Sequence, residues 1–176
     1  KYEAGTFTFT INYNIPNSHL INKYMFIQVG EDSERFYIIY EINDVIGEEG
    51  KGSQQRTISG YDCRYLFHQR YIMNLNNNVN WTYTGTGEAC IRNLIDSQCG
   101  INVEEKRRLD INNDLENEML LGKEYTVAEA YSNLYDVLVT IATQTEIGWK
   151  VTFKNNELWL EVYEGENKSS SVFLSP

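Results

Sequence analysis

The stretch QQRTISGYDCRYLFHQR, from Gln54 to Arg70, contains the change of pattern on which the fold depends. Its first residues alternate as in a half-buried strand, and this pattern stops at Ser59-Gly60. Apolar side chains then recur at helical spacing: Cys63, Leu66, Phe67 and Tyr71. We therefore predict a strand that turns at this point into a short helix packed on its own sheet.

Four residues have predicted structural roles at this turn, and we call them the elbow: Ser59, Gly60, Asp62 and Arg70. Ser59-Gly60-Tyr61-Asp62 has the spacing of a helix capping box, in which Ser59 or Asp62 accepts hydrogen bonds from free backbone amides. We expect Gly60 to allow a turn that a residue with a Cβ would resist. We expect Arg70 to tie the helix to the next segment.

The composition is that of a folded globular protein. The sequence has 176 residues, of which 41% are hydrophobic and 23% charged, and its net charge is −10. That charge argues against partners with a nucleic-acid backbone or an anionic membrane surface, because both need clustered Lys and Arg. No apolar run approaches the roughly 18 residues of a membrane span. We therefore expect no specific nucleic acid and no membrane insertion.

The cysteines give no evidence of a disulfide framework or a zinc site. Cys63, Cys90 and Cys99 are odd in number, and none of them forms a CxxC pair. Buried free thiols are the simplest interpretation, and they suit synthesis in a reducing cytoplasm. Because Lys1 is not a natural start residue, we expect the sequence to be part of a longer chain.

The order of the periodic segments predicts an α+β fold with two subdomains. Residues 1–84 form a strand-rich N-terminal subdomain, an antiparallel meander of about four strands followed by the elbow helix. Residues 85–176 form a subdomain of helices and a C-terminal β-hairpin. One continuous domain is the alternative. The hairpin is predicted from alternation over residues 149–153 and 158–162, around a turn at 154–157.

Two helices are predicted in the C-terminal subdomain. The first starts near Thr86 and ends at Gly100. The second starts at a capping box over residues 126–129, has an apolar face from Val127 to Ala142, and ends at Gly148. A last short strand is predicted at residues 172–174, and exposed loops at 48–52, 74–80 and 112–118.

No set of residues assembles into a predicted catalytic or cofactor site. Only His19 and His68 are available as histidine bases, and neither has the spacing of a metal ligand. Gly85-Thr86-Gly87 precedes a helix but lacks the lysine of a phosphate-binding loop. We therefore predict that the chain is not an enzyme and has no cofactor.

A calcium loop is only partly matched. Asp110, Asn112 and Asp114 have its first spacings, but Leu115 and Leu121 stand where Gly and Glu are needed. A solvated loop is the simpler interpretation, and we predict no metal.

Trp159 and Tyr163 lie on the outward face of the predicted final hairpin. Aromatic side chains in such a place bind sugars by stacking, or they pack on another layer or subunit. We therefore predict a glycan or subunit contact at these two residues.

Several segments resemble the siphovirus ReqiPepy-type (Gp37-like) phage tail protein family, which groups with tail-hub and baseplate proteins. In chain order they are YMFIQVG, FYIIYEINDV, TISGYDCRYLFHQRYI, IRNLID, EEKRRLDI and GWKVTFKNNELWLEVYEGENKSSSVFLSP. The most telling are the elbow with its helix and the final VYEG with VFLSP. The resemblance covers nearly the whole chain.

The resemblance implies a structural protein of a phage or prophage virion, made in the bacterial cytoplasm and placed at the distal tail hub or baseplate. Its partners would be other phage tail proteins and further copies of itself, as a trimer around the tail axis. Two alternatives stay open: a carbohydrate-binding receptor module of the tail tip, and a tail-associated peptidase or wall hydrolase segment.

Overall fold

The computed structural model describes residues 5–29, 36–45, 54–74 and 79–165, and its secondary structure confirms the α+β class. The strand predicted at residues 172–174 and the loop predicted at 48–52 lie outside the described residues. The same is true of residues 75–78 in the loop predicted at 74–80.

The first sheet lies at the N-terminal side and contains four strands within the described ranges: β1 (Thr6–Asn12), β2 (Phe26–Gln28), β3 (Phe36–Val45) and β4 (Gln55–Asp62). Neighbouring strands are antiparallel, and their order is β1-β4-β3-β2. Strands β2 to β4 form a meander of three strands, where about four were predicted. Strand β1 lies beside β4 and not beside β2, which is the order of a Greek key.

The C-terminal part alternates strands and helices: β5 (Trp81–Thr86), α1 (Gly87–Cys99), β6 (Ile111–Asn112), β7 (Glu124–Glu129), α2 (Leu134–Thr145), β8 (Ile147–Lys154) and β9 (Glu157–Glu164). Strands β5 and β7 form a second sheet, and a third sheet has the order β6-β9-β8, with β6 parallel to β9. Short 3-10 helices cover Ser18–Leu20, Cys63–Gln69 and Glu105–Arg107. In the described ranges, the helices lack the length and apolar character needed to cross a membrane.

Helix α1 and the final hairpin form where the sequence predicts them. The Thr86 hydroxyl accepts a hydrogen bond from the Ala89 amide at 3.3 Å, and Gly100 follows the last residue of α1. The hairpin turns at Asn155 and Asn156, whose φ angles are 53° and 68°. Asparagine tolerates this left-handed conformation better than most residues, which suits the tight turn.

The start and end of α2 differ from the prediction. Residues 124–129 form β7 and not a first helical turn, because they pair along their whole length with β5. Helix α2 begins at Leu134, where the Asn133 side chain caps it by accepting from the Tyr135 amide at 3.0 Å. Glu146, with a φ of 61°, ends the helix, and Gly148 lies in β8.

One hydrophobic core joins the two predicted subdomains. Phe67 and Ile72, from the N-terminal side, are fully buried together with Leu94 of α1 and Leu138 of α2. The predicted boundary between residues 84 and 85 falls inside β5. The 3-10 helix Cys63–Gln69 therefore packs with the C-terminal part as closely as with the first sheet.

Candidate functional site

The elbow turns the chain at Asp62, two residues after the predicted point. Strand β4 continues through Ser59 and Gly60, and Asp62 is the N-cap of the 3-10 helix Cys63–Gln69. Its carboxylate accepts hydrogen bonds from the backbone amides of Gly5 at 2.6 Å and Arg64 at 3.0 Å. It also pairs with the Arg64 guanidinium at 2.7 Å. Asp62 therefore holds the residue before β1 against the start of the helix.

Gly60 does not turn the chain, contrary to the prediction. Its φ is not positive, and it pairs with Phe7 on one side and Ile39 on the other. A Cβ at this position would lie 1.9 Å from the Ile38 carbonyl oxygen and 2.8 Å from the Phe7 ring. Glycine is needed because the backbones of β3 and β4 approach closely beside a register shift between Ile39 and Glu41.

Ser59 does not cap the helix either. Its hydroxyl makes a long hydrogen bond of 3.5 Å to the Glu41 carboxylate, on the outer face of the first sheet. The capping-box spacing was misleading here because the strand continues past Ser59, and it is Asp62 that caps the helix.

Arg70 connects the elbow helix to two later parts of the chain. Its Nε donates to the Arg107 carbonyl oxygen at 3.2 Å, and its own carbonyl accepts from the Leu134 amide at 2.9 Å. The residue thus lies against the 3-10 helix Glu105–Arg107 and the start of α2.

A row of aromatic rings runs from the first sheet into the core. Tyr61 and Tyr65 stack at 4.0 Å between ring centroids, and Tyr65 lies 4.8 Å from His68. His68 stacks on Tyr135 at 4.5 Å, and Tyr135 contacts Trp149 edge-on at 5.9 Å. Both flanks of His68 are therefore occupied by packing contacts.

The buried cysteines are not arranged as nucleophiles. Burial, together with the nearby Asp62 carboxylate, raises the pKa of Cys63 to about 12. Burial likewise raises the pKa of Cys99 to about 11. Since only a thiolate is a good nucleophile, both side chains are unreactive near neutral pH.

Trp159 and Tyr163 line one open cavity of about 420 Å³. The Tyr163 ring lies across Gly148, where an added Cβ would come within 2.4 Å of it. The Trp159 indole N–H is buried and has no hydrogen-bond partner among the described residues. Four charged side chains also line the cavity: Arg92, Asp114, Lys150 and Glu161. The structure thus brings the two predicted contact residues together on one charged surface.

The partial calcium motif does not form a loop of ligands. Ile111 and Asn112 are in the extended strand β6, and Asp114 accepts a hydrogen bond from Asn117 at 2.8 Å. In the part of the chain that the structure describes, no three His, Cys, Asp or Glu side chains are grouped to hold a metal ion.

A tyrosine-lined cavity of about 540 Å³ was not predicted from the sequence. It lies on the outer face of the first sheet and is lined by Tyr40, Tyr61 and Tyr65 together with Glu41 and Ser59. The register shift in β3 leaves Tyr40 unpaired between Ile39 and Glu41. Burial raises the pKa of Tyr40, and its hydroxyl contacts the Gln69 amide. No local pattern in the sequence predicts such a register shift, because the shift depends on the partner strand.

A buried ion pair joins α1 to the segment that follows it. Arg92 Nε and Glu88 Oε1 are 2.9 Å apart, and each residue is less than a tenth exposed. Arg92 also donates to the Asn113 carbonyl at 2.5 Å, while Glu88 accepts from the Leu121 amide at 3.2 Å. The i, i+4 spacing of this pair was a signal in the sequence.

The resemblance seen in the sequence is confirmed by comparison with family models. The model described as Siphovirus ReqiPepy6 Gp37-like protein matches residues 1–176, the whole of the sequence. Among curated proteins, none matches this chain.

Proposed function

This chain belongs to the Siphovirus ReqiPepy6 Gp37-like protein family, and we propose that it is a structural component of a phage tail, at the distal hub or baseplate. The observation that carries the proposal is the match to a siphovirus family over residues 1–176. In this role the protein acts through contacts with other tail proteins, and its place is the virion.

An exposed apolar segment supports a role in assembly. Between residues 15 and 29, six large hydrophobic side chains are exposed: Ile15, Leu20, Tyr24, Met25, Phe26 and Val29. Large exposed apolar side chains that are grouped in one segment are candidates for an interaction site, and interface centres favour Tyr, Met and Phe. Contact with neighbouring tail proteins would remove these side chains from water.

Immunogold labelling of purified phage particles tests the location. An antibody against this chain should label the distal tip of the tail, at the end away from the head. Labelling of the head or of the whole tail tube would contradict the hub or baseplate position. The absence of the chain from particles, measured by mass spectrometry, would contradict the structural role altogether.

The cavity at Trp159 and Tyr163 favours a second function, recognition of a host-surface carbohydrate. Sugar rings stack on aromatic faces, and carboxylates such as Glu161 accept bonds from sugar hydroxyls. On a glycan array, Tyr163→Ala should abolish any binding by the intact chain. Tyr71→Ala is the matched control, because Tyr71 is also exposed and does not line the cavity.

We also propose that the chain has no catalytic activity of its own. The packing of His68 between Tyr65 and Tyr135, and the raised pKa of Cys63, support this. The purified chain should release no soluble fragments from peptidoglycan. Release that is lost in a His68→Ala variant would contradict the proposal.

A further inference from the structure

A groove of about 750 Å³ is formed by the last residues of α1, the segment around β6 and the first residue of β9. We call it the acidic groove, because carboxylate side chains predominate among its charged residues. Five of them line it: Asp96, Asp110, Asp114, Glu116 and Glu157. Arg108 is the one Lys or Arg among the described residues that line it.

The carboxylates of the acidic groove are not neutralised within the described part of the chain. None of the five forms an ion pair with a described Lys or Arg, whereas Asp44, Glu88 and Glu161 elsewhere each do. Arg108 directs its Nε to the Val103 carbonyl oxygen, at 2.8 Å. Because like charges repel, carboxylates gathered on one surface raise its free energy until a cation approaches.

Helix α1 adds to the negative potential of the acidic groove. Its last turn lines the groove, and the C-terminal end of a helix carries a partial negative charge. Basic side chains stabilise such an end, but the last turn of α1 has none, and Asp96 stands there instead. This carboxylate does not favour the helix, which indicates that its role lies in the groove.

Two further features indicate a protein ligand and not a simple ion. Ile101 and Leu115 line the acidic groove and are 77% and 39% exposed, so an apolar group is also accommodated there. Asn113 Oδ1 is buried and has no hydrogen-bond donor among the described residues, and Asn113 also lines the groove. Such an acceptor favours a ligand that carries N–H groups. Within the described ranges, no three carboxylates are grouped closely enough to hold a metal ion.

We propose that the acidic groove binds a basic segment of a neighbouring tail protein, in which Lys or Arg stands beside an apolar side chain. The inference rests on the proposed assembly function and names the chemistry of the partner. The carboxylates bind ammonium or guanidinium groups, and Ile101 and Leu115 cover the apolar side chain. The net charge of −10 attracts a basic partner from a distance and speeds association. Since the partner is a different protein, the contact sets no condition on the number of copies around the tail axis.

Binding of labelled peptides to the intact chain is the first test. One short peptide contains lysine and leucine, and the other has glutamate in place of each lysine. Fluorescence anisotropy should show binding of the lysine peptide alone. Its Kd should rise as the salt concentration increases from about 0.1 M to about 1 M, because the Debye length falls from about 10 Å to about 3 Å. Spermidine, which has the charge but no apolar side chain, should bind at least about tenfold more weakly.

Two triple variants with equal net charge separate the acidic groove from a general charge effect. The groove variant is Asp110→Asn, Glu116→Gln and Glu157→Gln. The control variant is Asp136→Asn, Glu124→Gln and Glu164→Gln, at exposed positions that do not line the groove. The groove variant should raise the Kd of the lysine peptide at least about tenfold, and the control should leave it within about twofold. All six side chains are exposed, so the circular dichroism spectra should match that of the wild type.

A pair of serine variants tests the apolar part of the contact. Ile101→Ser should raise the Kd of the lysine peptide about tenfold, because it removes the exposed apolar side chain of the groove. Leu120→Ser is the matched control, since Leu120 is 69% exposed and does not line the groove. It should leave the Kd unchanged.

Cross-linking in purified phage particles identifies the partner. A photoreactive amino acid at position 101 should cross-link to another tail protein, and mass spectrometry should place the cross-link in a segment that contains Lys or Arg. A cross-link to a segment without either residue, or no cross-link in particles that contain the chain, would refute the proposal.

The results separate this inference from the proposed function. No binding of the lysine peptide, equal binding of spermidine, or equal Kd values for the two triple variants would each overturn the partner assigned to the acidic groove. Gold labelling at the tail tip would in that case still support the proposed function. Labelling elsewhere on the particle, with peptide binding that the groove variant weakens, would refute the tail position alone.

Discussion

Gly60 shows how a single residue determines whether the first sheet can form. The obstacle to a side chain there is the Ile38 carbonyl oxygen, 1.9 Å from the Cβ position, and this oxygen belongs to the backbone of β3. A flexible side chain could move away, but a paired strand cannot move without breaking its ladder. The contact therefore makes any residue other than glycine destabilising at this position.

We expect Gly60→Ala to lower the free energy of unfolding by about 3 kcal/mol, the upper end for overpacking of a core. Urea unfolding followed by circular dichroism measures this change. Gly165→Ala is the control, because an added Cβ there meets no atom of the described residues within 4 Å. That variant should stay within about 0.5 kcal/mol of the wild type. Equal effects in the two variants would refute the close-approach argument.

Because folding raises the pKa values of Cys63 and Cys99, the free energy of unfolding should fall at alkaline pH. Both values, about 12 and about 11, lie above the 9.0 of an exposed thiol, so the unfolded chain releases these protons first. The stabilising contribution of the protonated thiols is complete below about pH 9 and is lost as pH rises toward 12.

Thiol labelling is the direct check at the residue scale. At pH 8 the folded chain should react with none of the added thiol reagent, since all three cysteines are buried. In denaturant it should react at three sites. Labelling of Cys63 in the folded chain would show that the 3-10 helix opens easily.

At the scale of the elements, a buried ion pair holds α1 against the segment between residues 113 and 121. Arg92 and Glu88 each bond to the segment between residues 113 and 121 as well as to each other. We expect Arg92→Met to lower the free energy of unfolding by about 3–5 kcal/mol, because it leaves the Glu88 carboxylate buried without its partner. Urea unfolding again gives the measurement.

The double variant Glu88→Gln with Arg92→Met distinguishes an uncompensated charge from lost packing. If the charge is the cause, the double variant should be more stable than Arg92→Met alone. If the double variant is equally destabilised, packing and the bonds to residues 113–121 carry the effect.

The elements also show where local sequence was sufficient. Alternation around Asn155 and Asn156 was enough to predict the hairpin, and Thr86 and Gly100 were enough to place α1, because these signals act between near neighbours. The motif Thr126-Val127-Ala128-Glu129 predicted a helix start and was wrong. These residues pair with β5, about forty positions earlier, and this non-local pairing outweighs the local preference.

At the scale of the whole molecule, the shared core predicts that the two sides do not fold independently. The core around α1 and α2 contains Phe67 and Ile72, which lie before residue 85. A fragment of residues 85–176 should therefore be largely unfolded, with strong binding of a hydrophobic dye. A fragment that starts at residue 54 restores both side chains and should show more ordered circular dichroism.

An independently folded 85–176 fragment, with the same helix content per residue as in the intact chain, would contradict the shared core. It would also support the predicted boundary between residues 84 and 85. For the intact chain we expect one cooperative unfolding transition, because the first sheet and the core meet through the elbow helix.

Local patterns in the sequence were thus enough for the α+β class, for the caps of α1, and for placing Trp159 and Tyr163 on one face of the same strand. Each of these depends on residues within a few positions of one another. The position of β1 beside β4, the reason for glycine at position 60 and the tyrosine cavity around Tyr40 required the folded molecule. They arise from contacts between segments that are far apart in the chain. The stability of such a contact depends on both segments, and no short stretch of sequence specifies both.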